Sequence, residues 1–247
     1  GCNRDEIINT FYTTNKYSYV SSTKMWSTEF KPENYKRPIK LSYDLIDTTT
    51  GKKILSKGEK LNVVIANKLK EKKLDKISIS NNEIIGKFLA KDLKSKNGEE
   101  LIKSGYDVTE EIMERIVEED IKALEIVNID PVNKGPYLLE TLKIDKNTNK
   151  AEALGDIYRV LRPGEAPTLE IAEGIFKKLY FTKDRYDLSE VGRVKLNSKL
   201  DLKIKDNQTI LNKEDIIAII QFMLNLRDGK GEVDDIDHLG NRRVRSV

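Results

Sequence analysis

Arginine is concentrated near the C-terminal end of this chain. Eight of its eleven arginines lie at or after Arg159, whereas lysine carries most of the positive charge elsewhere. A guanidinium group is a planar fork of N–H donors that holds phosphates or carboxylates in a fixed geometry. The chain therefore has a local candidate site for anions. The candidate phosphate-binding arginines are Arg162, Arg185, Arg242, Arg243 and Arg245.

The same arginines could instead form internal ion pairs. The acidic candidates for such pairs are Asp184, Asp187, Glu190 and Asp237. In an extended segment, Arg243 and Arg245 would share one face and Arg242 would lie on the other, whereas a helix would spread all three around its circumference. Spacing alone leaves phosphate contacts and internal ion pairs both open.

Other catalytic chemistry has weak support in the sequence. Asp234, Asp235 and Asp237 could ligate Mg²⁺ together with substrate phosphates, but a capping role for the segment that follows is the favoured interpretation. His238 is the only histidine, and no nucleophile motif accompanies it, so a structural hydrogen-bonding role is expected. The sequence therefore predicts no catalytic residue and no metal site within this chain.

Composition limits the class of protein. A length of 247 residues fits one large domain or two smaller ones, and 38% apolar residues can form a core. A net charge of +3 is too small to indicate a nucleic-acid binder by itself, so any basic site must be local. The single cysteine, Cys2, excludes a disulfide framework and fits a reducing cytoplasm, and no apolar run predicts a membrane span. Because the chain begins without Met and stops within a basic run, we expect it to be part of a longer polypeptide.

A sequence repeat occupies the first half of the chain. Gly51–Gly58 is echoed by Gly98–Gly105, and the match continues without gaps to Ile79 and Ile126 at a constant offset of 47. Each copy predicts a strand, a glycine turn, an amphipathic helix and a second strand. Neither copy has a phosphate-binding loop or metal-ligand spacing, so the repeat predicts a duplicated α/β module without chemistry of its own.

Local patterns predict the elements outside the repeat. We expect a helix at Asp5–Tyr12, a packing role for Trp26, and a strand at Tyr137–Ile144 that is followed by a strand or short helix up to Val160. Residues 162–167 contain two prolines and predict a rigid loop.

Three helices are predicted after this loop. The first is capped by Thr168, the second begins with a capping-box variant at Asp187-x-x-Glu190, and the third opens at Asn212-x-x-Asp215. The third is apolar over more than half its circumference, so we expect it to be buried, and Gly229 should end it.

Several long sequence runs resemble the β subunit of bacterial DNA-directed RNA polymerase. They are RPGEAPT, RYDLSEVGR and DDIDHLGNRR, together with GPYLLETLKIDK and LNKEDIIAII, and the match spans at least Asn133–Val247. The resemblance implies an α+β fold: a mixed lobe domain of short strands and helices, interrupted by the inserted duplicated α/β module. The implied divisions are the N-terminal lobe part (1–38), the insertion (39–128), the C-terminal lobe part (129–230) and a segment leading to the protrusion and rifampicin-pocket region (231–247).

The resemblance also implies a function. In this family, two metal ions catalyse nucleotidyl transfer for template-directed RNA synthesis, and the Mg²⁺-binding aspartates belong to the partner β′ subunit. The lobe forms a wall of the DNA channel. By motif position, Arg162 and Arg185 resemble residues that contact non-template DNA, and Asp237 and Arg242 resemble residues of a pocket for an unstacked guanine. Arg159, Arg193 and Arg227 are expected to be structural.

The implied partners are DNA, the β′, α and ω subunits and a sigma factor, with no membrane. The implied location is the cytoplasm, in association with the nucleoid, and the isolated fragment is expected to be inactive. The alternative is a non-enzymatic docking module for transcription factors. A free-standing basic DNA-binding protein is disfavoured by the small net charge.

Overall fold

The chain folds into two compact units. The computed structural model describes residues 2–130, 134–165, 167–238 and 241, and the division falls between Ile144 and Asp145. The helices are α1 (Arg4–Phe11), α2 (Val63–Glu71), α3 (Asn81–Ile84), α4 (Glu110–Glu118), α5 (Tyr137–Ile144), α6 (Lys150–Leu161), α7 (Leu169–Tyr180), α8 (Ser189–Leu200) and α9 (Lys213–Arg227). The strands are β1 (Thr14–Val20), β2 (Met25–Glu29), β3 (Ile39–Lys40), β4 (Leu45–Asp47), β5 (Lys53–Leu55), β6 (Lys60–Leu61), β7 (Lys76–Ile79), β8 (Leu93–Lys94), β9 (Glu100–Ile102) and β10 (Ala123–Val127). This mixture confirms the predicted α+β class.

The N-terminal unit contains a six-stranded antiparallel sheet in the order β10-β1-β2-β7-β4-β5. The β1–β2 hairpin lies between β7 and β10, the last strands of the two repeat copies. The sheet thus joins strands from both sides of the predicted boundary at residue 38. Two short ribbons, β3–β6 and β8–β9, accompany the sheet.

The repeat is also a structural duplication. Gly51 and Gly98 have φ angles of 67° and 83°, and Gly58 and Gly105 have 90° and 82°. The two helices end in the same way, because Lys73 and Asp120 both adopt a left-handed conformation 47 positions apart. The predicted order of strand, glycine turn, helix and strand is confirmed in both copies.

Two hydrophobic clusters stabilise this unit. The second copy packs Ile116 and Met113 of α4 in a cluster with Trp26, whereas the first copy packs Ala66 of α2 in a cluster with Phe30. Trp26 is almost fully buried, and its indole N–H donates to Asn81 Oδ1 at 2.9 Å. Its predicted packing role is confirmed.

One predicted strand of this unit is wrong. Residues Tyr137–Ile144 form helix α5, which begins directly after Pro136 and buries Leu139 and Leu142. Leucine, glutamate and lysine favour helix, and a buried pair at i, i+3 suits one helix face. The predicted helix at Asp5–Tyr12 is confirmed as α1, one residue earlier, with a capping box between Asn3 and Glu6.

The C-terminal unit is helical. α6 and α7 pack together around Leu154, Tyr158 and Ala172, which resolves the open choice of a strand or a helix before Val160 in favour of helix. The Thr168 hydroxyl accepts from the N–H of Ile171, and α9 begins with a capping box between Asn212 and Asp215. The predicted starts of these two helices are confirmed.

Two further predictions about this unit are wrong. Helix α8 has no capping box: the Asp187 carboxylate accepts from the N–H of Ser189, two residues on, and Leu188 precedes the helix without a side-chain cap. Helix α9 is mostly half-buried, with Met223 at 59% exposed, because the described part of this unit leaves much of its circumference uncovered. Gly229 does end α9, with a φ angle of 71°.

Candidate nucleic-acid interface

Arg162 lies at the end of α6, where the chain turns sharply. Its backbone N–H donates to the carbonyl of Tyr158 at 2.8 Å and closes the helix. Pro163 has no backbone N–H and cannot extend the helix, and Gly164 has a φ angle of 93°, a conformation that favours glycine. The turn therefore projects the Arg162 side chain, 58% exposed, from the helix end.

Glu165 links this turn back to the helix. The Tyr158 hydroxyl donates to Glu165 Oε2 at 2.5 Å, and this hydrogen bond raises the pKa of Tyr158. Arg162 Nη1 lies 3.9 Å from the same carboxylate oxygen. Since that distance is at the limit for an ion pair and both groups are exposed, the guanidinium can exchange this partner for a phosphate at little cost.

Arg185 lies in the turn between α7 and α8. The N–H groups of Arg185 and Tyr186 both donate to the carbonyl of Thr182 and form the turn. Tyr186 packs edge-on against Tyr180, with ring centroids 5.4 Å apart, and burial raises the pKa of Tyr186. The aromatic rings hold the turn, while Arg185 itself is exposed and forms no ion pair with any described residue.

Arg193 has a different environment. It is fully buried in α8, and its guanidinium bonds both carboxylate oxygens of Asp215, at 2.6 and 3.0 Å. It also donates to the carbonyls of Gln208 and Ile210, both at 2.6 Å. These four bonds join α8, the loop after it and the start of α9, so the predicted structural role of Arg193 is confirmed.

The acidic partner of Arg193 could not be identified from the sequence. The sequence named no acidic partner for Arg193. The observed partner is Asp215, whose carboxylate also accepts from the N–H of Asn212 at 2.8 Å. Asp215 was recognisable only as a helix-capping residue. A buried guanidinium partner leaves no periodic pattern in the sequence.

The acidic run after α9 is used largely within the protein. Asp234 pairs with Lys199 at 2.7 Å, and Asp235 Oδ1 accepts from the N–H of Asp237 at 2.9 Å. The carbonyl of Asp235 accepts from the His238 N–H and the Asn241 side chain. The basic segment that this run was expected to cap, residues 242–247, lies outside the described residues, so the capping interpretation stays a prediction.

The predicted site residues fall into three groups. Arg162 and Arg185 are exposed on separate turns of the C-terminal unit, and no hydrogen bond or ion pair of the described residues joins them. Asp237 is exposed in the turn at residues 235–238. Arg242, Arg243 and Arg245 lie outside the described residues, so their arrangement with Asp237 stays a prediction. The exposed guanidinium of Arg159 pairs with Asp156 within α6.

Across residues 2–130, 134–165, 167–238 and 241, no group of three or more histidine, cysteine or acidic side chains is placed to hold a metal ion. Over the same ranges, no helix is long and apolar enough to cross a bilayer.

Comparison with known proteins identifies the family. The sequence profile described as RNA polymerase Rpb2, domain 2, matches residues 105–245, which include both exposed arginine turns and the buried Arg193–Asp215 pair. The chain belongs to this family.

Individual relatives agree with this assignment. The chain is 42% identical over 248 residues to the DNA-directed RNA polymerase subunit beta of Rhizobium leguminosarum bv. trifolii, and 44% identical to that of Agrobacterium fabrum. The corresponding protein of Jannaschia sp. is 41% identical over 259 residues. All three matches cover 100% of this chain but only 18% or 19% of the relative, so the chain spans less than a fifth of their length. Membership of this family does not favour the alternative of an independent docking module.

Proposed function

We propose that this chain is a part of the β subunit of a DNA-directed RNA polymerase and forms a wall of the DNA channel that contacts the non-template strand. The assembled enzyme would catalyse template-directed RNA synthesis from ribonucleoside triphosphates. Its partners would be DNA, the β′, α and ω subunits and a sigma factor, in the cytoplasm and associated with the nucleoid. The catalytic Mg²⁺ would be held by the β′ subunit.

This proposal rests on the difference in ion pairing between the buried Arg193 and the exposed Arg162 and Arg185. Arg193 has all its charge satisfied internally by Asp215, whereas Arg185 has no described ion pair and Arg162 only a distant one. An exposed fork at the tip of a rigid turn can bind a backbone phosphate or stack on an unpaired base. Half-exposed Tyr180, beside the Arg185 turn, offers a further surface on which a base could stack.

A carboxylate has a separate role in this proposal. Asp237 could accept hydrogen bonds from the N1–H and N2–H₂ groups of guanine, which would complement an arginine such as Arg242. Arg243 and Arg245 would add phosphate contacts. Because this chain is a small part of its relatives, other walls of the guanine pocket would come from the rest of the enzyme.

The test replaces Arg162 and Arg185 by alanine in the assembled polymerase. Each lost contact with a single-stranded phosphate should reduce the slope of log affinity against log salt by about 0.7. The double variant should therefore form shorter-lived open complexes, with a slope shallower by roughly 1.4. Arg159→Ala is the matched control, because it removes an exposed arginine that is already paired with Asp156. Unchanged lifetimes in the double variant would contradict the contact role.

A further inference from the structure

The two copies of the structural repeat carry opposite charge. Residues 51–79, here the basic copy, contain nine lysines and three carboxylates, a formal net charge of +6. Residues 98–126, here the acidic copy, contain three basic residues and ten carboxylates, a net charge of −7. Two copies of one fold within one gene share the same nucleotide bias, so composition does not explain the opposite signs.

The charges of the basic copy are largely available to a partner. Eight of its nine lysines are exposed. Among the described residues, only Lys53 and Lys70 form ion pairs, with Asp44 and Asp75. The other seven form no ion pair with a described residue, and they lie on or beside β5, β6, α2 and β7.

Local stability does not account for this arrangement. Lys60 of β6 lies directly opposite Lys40 of β3, and like charges facing each other across an antiparallel ribbon are destabilising. The ribbon beside the acidic copy instead places Lys94 opposite Glu100, a favourable pair. The helix dipole explains only part of the charges. It favours Lys68 and Lys70 in the last turn of α2 and Glu110 and Glu111 in the first turn of α4. It does not favour Glu118 and Glu119 at the C-terminal end of α4.

The chemistry of the basic copy fits a polyanion with evenly spaced charges. All its cations are lysines, which act as mobile point charges rather than as bidentate forks. Such a surface suits sequence-independent contact with phosphates, with strong dependence on salt. The acidic copy repels the same ligand, so only one end of the module can approach it.

From these observations we infer that the basic copy docks on the phosphate backbone of double-stranded DNA outside the transcription bubble. The choice of DNA as the polyanion rests on the proposed function, whereas the charge separation does not. An acidic protein would be the other class of partner, and the experiment separates the two.

The experiment measures binding of the assembled polymerase to duplex DNA with long or short arms beyond the bubble, over a range of salt concentrations. Only exposed lysines that have no ion pair are replaced in the test variant: K57Q, K60Q, K68Q and K72Q. The control removes four lysine charges on or near the acidic copy: K94Q, K96Q, K103Q and K122Q. Of these, Lys103 and Lys122 form exposed ion pairs, with Glu100 and Asp120. A third variant replaces the four test lysines by arginine and keeps the charge.

The test variant should bind long-armed DNA more weakly, with a slope of log affinity against log salt shallower by up to about 3.6, since each phosphate contact contributes about 0.9. Short-armed DNA should show no difference, the control should match the wild type, and the arginine variant should keep the slope. An unchanged slope in the test variant would overturn DNA docking and leave an acidic protein as the fitting partner. An equal change in the control would also overturn it, because net charge alone would then explain the effect.

A second measurement does not depend on the folding of a multiple variant. A photoreactive residue at position 60 should crosslink to duplex DNA in the assembled enzyme, and one at position 103 should not. Failure of the position-60 crosslink would count against the inference. The open-complex assay with Arg162 and Arg185 is independent of both measurements, so a failure of docking and a failure of the proposed function can be told apart.

Discussion

Removal of Arg193 should open the C-terminal unit locally. Arg193 and Asp215 are both fully buried and joined by two hydrogen bonds. In Arg193→Ala the fully buried Asp215 carboxylate would lose its countercharge, and the carbonyls of Gln208 and Ile210 would lose a donor. Breaking a buried ion pair from one side costs about 3–5 kcal/mol.

That cost is large against the ~5–15 kcal/mol that stabilises an ordinary domain. Since 1.4 kcal/mol is a factor of ten, the population of the locally open state should rise by about 10²- to 10⁴-fold. Amide hydrogen exchange in the assembled polymerase can measure this at α9 (Lys213–Arg227). Protection there should fall by the corresponding factor.

Two comparisons make the result specific to the buried pair. Lys150→Gln breaks an exposed ion pair with Glu173 and should leave protection almost unchanged, because solvent screens such a pair. Arg193→Met combined with Asp215→Leu should be less destabilised than Arg193→Ala, because no buried charge is left alone. If Arg193→Ala changes amide exchange in α9 no more than Lys150→Gln does, the buried Arg193–Asp215 pair does not stabilise this unit as inferred.

Two further predictions concern the N-terminal unit. The Asn128 N–H donates to the Thr13 carbonyl at 2.8 Å, so excising residues 14–127 and joining Thr13 to Asn128 should leave a soluble β subunit with basal transcription. Deleting residues 43–128 instead should expose Trp26 and reduce solubility. Equal behaviour of the two deletions would contradict this prediction. The hydrogen bond from Lys91 holds the pKa of the Glu125 carboxyl below its usual 4.5. This pair therefore stabilises β10 above about pH 4.5, and its stabilisation is lost as the pH falls through the lowered pKa of Glu125. Lys91→Met should therefore weaken the acid dependence of amide protection in β10, and an unaltered pH profile would refute the assignment.

Features with a strong local cause could be predicted from the sequence. The repeat was visible because its glycines and apolar residues recur at a fixed offset, and Thr168 and Asn212 were identifiable as caps from their own side chains. The structural role of Arg193 was anticipated, but its partner was not. Asp215 lies 22 positions away, and nothing in the spacing distinguishes it from nearer carboxylates.

Sequence-based predictions were wrong or incomplete where packing between distant segments determines the local structure. Tyr137–Ile144 has an apolar run that suits either a strand or a helix, and the helix is chosen by the start at Pro136 and the packing of Leu139 and Leu142. The β1–β2 hairpin lies between β7 and β10 because segments about 50 to 110 residues apart pair with each other, as in Trp26 with Ile79 and Thr14 with Val127. A local sequence pattern does not encode such distant pairing.

We propose that the Arg185 turn and the segment after residue 240 face non-template DNA. A photoreactive residue at Asp184, beside Arg185, or at Asn241, beside Arg242, can report this contact in an assembled open complex, with the same residue at Glu152 at the start of α6 as control. The account predicts crosslinks from positions 184 and 241 to the non-template strand within or at the edge of the bubble, and none from position 152. Crosslinks from positions 184 and 241 to protein alone would contradict it.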